Sequence, residues 1–130
     1  MANANQRNHL VAPRSVFNTT ELYRMYVLKE LSLGKSIYGK QIFDAFTEHF
    51  EGYPFPVSYS TIYTTLHKLE AEGFIKSWWK DDSSSKNRST RLYRITDEGT
   101  RYFKLKDRDT LDSLKKTKAL IDKFIELLSL

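Results

Sequence analysis

The chain contains no cysteine, which excludes disulfides, zinc–thiolate sites and cysteine nucleophiles together. Proline and glycine are sparse, three and five residues, so most of the chain is free to form regular elements and the few breakers mark where they stop. No uninterrupted apolar run is long enough to span a bilayer, and the start MANANQRNHLVAPRSVF lacks the apolar stretch of a secretory signal. The chain therefore reads as cytoplasmic, with no membrane partner. His9, His49 and His67 are scattered rather than set at metal-ligand spacing, and no P-loop, dinucleotide fingerprint or GxSxG occurs. The expectation is a protein that is not an enzyme and needs no metal or cofactor.

What the chain has in excess is positive charge. Its 130 residues carry 21 Lys and Arg against 16 Asp and Glu, a formal charge of +5 and a pI near 9.4. The distribution says more than the total. Between Lys76 and Arg94 six basic residues face two acidic ones, six minus two giving +4, so most of the excess lies in one short segment. A local cationic patch of this kind suits an anionic partner, nucleic acid first.

Residues 1–17 show no periodicity and read as a loose arm. Asn18-Thr-Thr-Glu21 then has the spacing of a helix cap, and Leu22, Met25, Tyr26, Leu28 and Leu31 recur at helical period up to Gly34. Ser36 is the expected cap of a second helix that carries Ile37, Ile42, Phe43, Phe46 and Phe50, with Gly39 in its first turns implying close packing. The linker EGYPFPV cannot continue it. A third helix is predicted from Ser58 as N-cap to Glu72, ended by Gly73. After Gly73 the period shortens: FIKSWWK and RLYRIT read as strands joined by the polar tip DDSSSKNRST, an irregular hairpin. Trp78 and Trp79 are adjacent on a strand, so one is expected in the core and one near the surface. Thr96 caps a last helix with Asp97 and Glu98 in its first turn, and a break is expected near Asp107–Thr110.

The third helix has two unlike faces. Ile62, Leu66 and Leu69 form a core stripe, flanked by Tyr59 and Tyr63. Opposite lie Ser60, Thr61, Thr64, His67, Lys68 and Ala71, with Thr65 at the border. Threonine is a mediocre helix former, so helix stability alone does not select three of them. Small hydroxyls do suit a helix in the major groove: they let the backbone approach, donate to phosphate and offer methyls to thymine. Tolerated surface is the plain alternative. The basic hairpin that follows favours the groove, because Lys86, Arg88 and Arg91 would sit beside the same duplex. The candidate DNA-binding residues are accordingly Tyr59, Ser60, Thr61, Thr64, Thr65, Lys68, Lys86, Arg88 and Arg91.

The run S-x-x-T-I-Y-x-x-L-x-x-L-E-x-E-G-F-I from Ser58, the Trp-containing strand, the basic hairpin and L-Y-R-I-T-D-E-G together resemble the PadR family of bacterial winged-helix transcriptional regulators. The matching positions include Thr61, Tyr63, Leu66, Leu69, Gly73, Ile75, Tyr93, Thr96 and Gly99, and Tyr38-Gly39 is similar to the family's His-Gly-Tyr region without its histidine. The resemblance spans about Leu22 to Phe103. Two departures stand out: Thr64 follows Tyr63 where the family often has proline, and the linker is lengthened by EGYPFP. The aromatic linker, short chain and single C-terminal helix also resemble bacterial replication terminator proteins, which share the winged-helix dimer plan.

In the last helix Leu111, Leu114, Leu120, Ile121, Phe124, Ile125, Leu127 and Leu128 form an apolar stripe wider than a body of this size can cover. Leu111, Leu114, Ile121, Ile125 and Leu128 alternate by threes and fours, as in a short coiled-coil seam. Packing on another copy is the expectation, with the interface drawn from Leu111, Leu114, Leu120, Ile121, Phe124, Ile125 and Leu128; folding back on the first helix is the alternative. The fold class expected is mainly α (α+β), a winged helix-turn-helix with a long C-terminal dimerisation helix. Its parts are an arm at 1–17, a DNA-binding domain at 18–106 and a dimerisation helix at 107–130. The function expected is a homodimeric, sequence-specific double-stranded DNA-binding repressor of the PadR type. A fork-arresting or architectural DNA-binding protein and an interaction module that has lost DNA binding are the alternatives. Some PadR-like regulators hold flat aromatic compounds between tryptophans; with no Trp in the last helix, a small aromatic effector is a minority expectation.

Overall fold

The computed structural model describes residues 18–80 and 91–130; the predicted arm at 1–17 and the hairpin tip with Lys86 and Arg88 lie outside the described residues. Asn18 caps helix α1 (Thr19–Leu31), its Oδ1 accepting from the Glu21 amide at 3.2 Å. Tyr23, Met25, Val27, Leu28 and Leu31 are buried, so α1 runs through the centre of the core.

The second helix begins later than the sequence suggests. Ser36 does not cap it: Ile37 and Tyr38 form a short strand, β1 (Ile37–Tyr38), and α2 spans Gly39–Phe50. Pairing explains the difference. Ile37 lies opposite Tyr93 and Tyr38 opposite Leu92, so two residues of good strand propensity gain an antiparallel neighbour. The Tyr38 amide donates to Gln41 Oε1 at 3.0 Å, so the third residue of the helix reaches back to satisfy the N-cap amide. Gly39 packs as its sequence context implied, since a Cβ there would stand 2.6 Å from the Tyr63 hydroxyl.

The long linker is not slack. Phe55 stacks on Tyr23 with centroids 5.3 Å apart and lies 5.0 Å from Phe50, and the Tyr23 hydroxyl donates to the Pro56 carbonyl at 2.5 Å. Gly52, at φ 85°, turns the chain after α2, the prolines keep it from resuming the helix, and Phe55 ties the linker to the aromatic cluster, setting where helix α3 (Tyr59–Ala71) starts. Burial pushes the Tyr26 hydroxyl pKa up, aided by Glu30 and Glu48, so this phenol stays neutral within the cluster.

Strands β2 (Ile75–Trp79) and β3 (Arg91–Ile95) are antiparallel, and the sheet order is β1-β3-β2. Neither tryptophan joins the core, contrary to expectation. Trp78 is 37% exposed on the face with Lys76, whereas Trp79 is half-buried on the inner face beyond the end of the core. That face is filled at its other end by Ile75; at the wing end Trp79 meets Arg91 instead.

Helix α4 (Asp97–Leu128) is capped by Thr96, whose Oγ1 accepts from the Gly99 amide at 3.0 Å. It runs unbroken through Asp107–Thr110, contrary to the predicted break, for 32 residues and about 48 Å at ~1.5 Å per residue. Its first turns pack on the body through Tyr102 and Phe103, while Leu120, Ile121, Phe124, Ile125, Leu127 and Leu128 remain exposed. Among the described residues no helix is long and apolar enough to cross a membrane.

Candidate nucleic-acid interface

Ser58 accepts the Thr61 amide at 3.4 Å and so caps the start of α3, while burial of its apolar stripe sets which face turns outward. Ile62, Leu66 and Leu69 are fully buried on the inner side. The outer side presents Ser60, Thr64 and Lys68, spaced by four and therefore aligned as one exposed ridge. A shallow groove lies on each flank of it. The larger, about 470 Å³, is bordered by the ridge, His67, Trp79 and Arg91; the smaller, about 300 Å³, by the ridge, Thr61, Thr19, Thr20 and Arg24. Ridge and grooves form a surface rich in hydroxyls and cations.

Thr65 borders the smaller groove but offers it little surface. The side chain is 7% exposed and its hydroxyl donates to the Thr61 carbonyl at 2.8 Å. The border position falls on the side where α1 packs against α3, so burial consumes the hydroxyl in back-bonding to its own helix. Thr61 is half-buried for the same reason. Tyr59 is divided between roles: its ring packs on Phe43 at 4.8 Å and Tyr63 at 4.7 Å, and its remaining edge is exposed at the start of the helix.

Arg91 is held in place at the wing root. Its Nε donates to Ser77 Oγ at 2.8 Å, Ser77 Oγ donates to Glu70 Oε2 at 2.6 Å, and the guanidinium lies over the Trp79 ring at 4.7 Å. This chain ties both wing strands to the end of α3 and aims the cation along the larger groove. Sequence reading missed Trp79 here; the observed register sets it opposite Arg91 as a cross-strand pair. It also missed Thr19 and Thr20, whose proximity to α3 arises from packing between distant segments. Lys86 and Arg88 lie outside the described residues. Among those described there is no cluster of potential metal ligands.

The chain's similarities agree with this geometry. Residues 27–105 match the model of the transcriptional regulator PadR-like family. The chain belongs to that family. PadR-like proteins regulate transcription rather than catalyse a reaction, and this chain has their DNA-binding winged-helix fold, as the sequence resemblance implied. A PadR family transcriptional regulator from Eggerthella lenta is 27% identical, with a TM-score of 0.52 over 96% of this chain and 97% of that one. A transcriptional regulator from Clostridium thermocellum is 25% identical, with a TM-score of 0.57 over 83% and 95%. A candidate regulator from Thermoplasma acidophilum, 23% identical with a TM-score of 0.60 over 83% and 94%, shares the fold. No curated protein sequence matches the chain.

Proposed function

We propose that this PadR-like protein is a homodimeric, sequence-specific reader of double-stranded DNA that acts as a transcriptional repressor. The observation that carries the reading is the Ser60–Thr64–Lys68 ridge, a narrow hydroxyl and cation stripe standing between two grooves. Inserted into the major groove, the ridge lets the α3 backbone come close, with threonine methyl and hydroxyl groups toward base edges and Lys68 toward phosphate or guanine. Arg91, braced by Ser77 and Trp79, then meets the flanking backbone. Lys86 and Arg88, which lie outside the described residues, are proposed as further contacts to the DNA backbone.

One reading helix spans only a few base pairs, so specificity calls for two, about one helical turn apart. Support for a second copy comes from α4, where Phe124 is 56% and Leu128 83% exposed within an apolar stripe. A matching groove of about 680 Å³ lies between α1, the linker and α4, bordered by Met25, Phe50, Phe55, Leu111 and Leu114. The interface proposed is therefore Leu111, Leu114, Leu120, Ile121, Phe124, Ile125 and Leu128, with 107–130 as the dimerisation segment. A dimer seated on a promoter excludes polymerase from the same duplex, which is sufficient for repression. A small aromatic effector is not part of this reading, because both tryptophans lie on β2, away from the apolar groove.

Footprinting on the DNA upstream of the protein's own gene tests it. One protected palindrome is the expected result. Tandem overlapping sites would instead favour a replication-terminator role, and no protection at all would favour an interaction module.

A further inference from the structure

The C-terminal end of α3 is fastened to the start of α4 by several independent contacts. Thr96 Oγ1 donates to the Gly73 carbonyl at 2.7 Å, and the Thr96 amide donates to the Phe74 carbonyl at 3.0 Å. Gly99 lies so close that a Cβ there would fall on the Phe74 carbonyl oxygen. The rings of Phe74 and Tyr102 stack at 4.2 Å and 17°.

Arg24 of α1 closes this junction from the side. Its Nη2 donates to Glu72 Oε1 at 2.7 Å and to the Tyr102 hydroxyl at 3.2 Å, its Nη1 donates to Glu72 Oε2 at 3.2 Å, and it lies 5.5 Å over the Tyr102 ring. One side chain, 13% exposed, thus holds the C-cap residue of the reading helix and the second turn of the long helix at once. The fork geometry of guanidinium makes this a directional link, which lysine cannot reproduce.

We propose that Arg24 is a positioning residue: through Glu72 and Tyr102 it fixes the angle between α3 and α4, and so sets the half-site spacing that the dimer accepts. The proposal rests on the dimeric DNA-reading function above. A swivel at this junction, where α3 ends and α4 begins, displaces one reading helix relative to its partner's while leaving each ridge intact. Arg24 also borders the smaller groove beside α3, so Glu72→Gln and Tyr102→Phe, neither of which lines that groove, separate its effect on spacing from a direct contact with DNA.

The absence of native cysteine permits one spin label per protomer at His67→Cys, and pulsed dipolar spectroscopy on the full-length, DNA-free dimer reads the distance between reading helices. The parent gives one narrow distance; Arg24→Gln and Glu72→Gln broaden it, and the double variant is no worse than either alone. Tyr102→Phe, which keeps its ring on Phe74, broadens it less and serves should Arg24→Gln fail to fold. On palindromes selected from random DNA and re-spaced in single base-pair steps, Arg24→Gln loses about tenfold affinity at the preferred spacing and little elsewhere. A folded Arg24→Gln dimer with an unchanged distance and unchanged spacing preference overturns the proposal. A parent dimer with the narrow distance but no duplex affinity overturns the DNA reading, and the spacing role with it.

Discussion

Helix α3 and the distal half of α4 both carry apolar stripes at helical period, yet the structure treats them oppositely. In α3 the stripe Ile62, Leu66 and Leu69 is wholly buried and the opposite face is short, polar and exposed. In α4 the stripe from Leu120 to Leu128 is itself exposed. Periodicity states only that a face is apolar; what covers it depends on how much surface the rest of the chain can supply. The body is filled by α1, α2, α3 and the sheet, and α4 outruns it.

The sharpest way to test this contrast is to remove the same kind of side chain from each stripe. Leu66→Ala should destabilise the fold by about 2–5 kcal/mol in denaturant titration, because the cavity forms among fully buried neighbours. Gly99→Ala should cost about 1–3 kcal/mol by the same measurement, since the added methyl meets backbone at the Phe74 carbonyl rather than a side chain that can turn away. Ile121→Asp with Phe124→Asp should leave the body's core intact, as neither residue is part of it. In sedimentation this variant should run as a monomer or aggregate, and its operator affinity should fall far more than its nonspecific affinity. A double variant that stays dimeric would break the comparison, because the exposed stripe would then have no partner to lose.

Much of the fold was legible because local signals and packing agree. Asn18, Ser58 and Thr96 each have an acceptor followed three residues later by an amide to satisfy, and all three cap a helix. Ser36 had the same appearance and failed, because the pairing of Ile37 with Tyr93 is a contact between residues distant in sequence. Thr65, read as a border position, is buried for a related reason. A helical wheel assigns an angle, and a border angle becomes core or surface only once α1 is docked. Trp78 and Trp79 show the limit of strand alternation, which separates faces correctly but does not reveal that the core ends before the wing does. The unbroken α4 through Asp107–Thr110 shows that a charged stretch weakens an apolar pattern without breaking a helix. Of the candidate site, the ridge residues were readable as part of the face opposite the core stripe; the Arg91 brace and the Arg24 junction required tertiary contacts.

The wing should behave as a cationic edge, separable from base reading. Alanine at Lys86 and Arg88 should lower affinity for every duplex alike and reduce the slope of log K against log salt by up to about 2 per wing, if each makes one phosphate contact. An unchanged slope in salt titrations would point the wing away from the duplex.

The central claim is that the outer face of α3 reads DNA while its inner face holds the fold. Thr64→Ala combined with Lys68→Ala tests it most directly, by fluorescence anisotropy on the footprinted operator alongside a thermal melt. Both side chains are exposed, so stability should change by no more than about 0.5 kcal/mol per substitution. Specific affinity should fall at least tenfold, about 1.4 kcal/mol, with a smaller loss on unrelated duplex. A variant that melts like the parent and binds the operator with the parent's affinity would contradict the account.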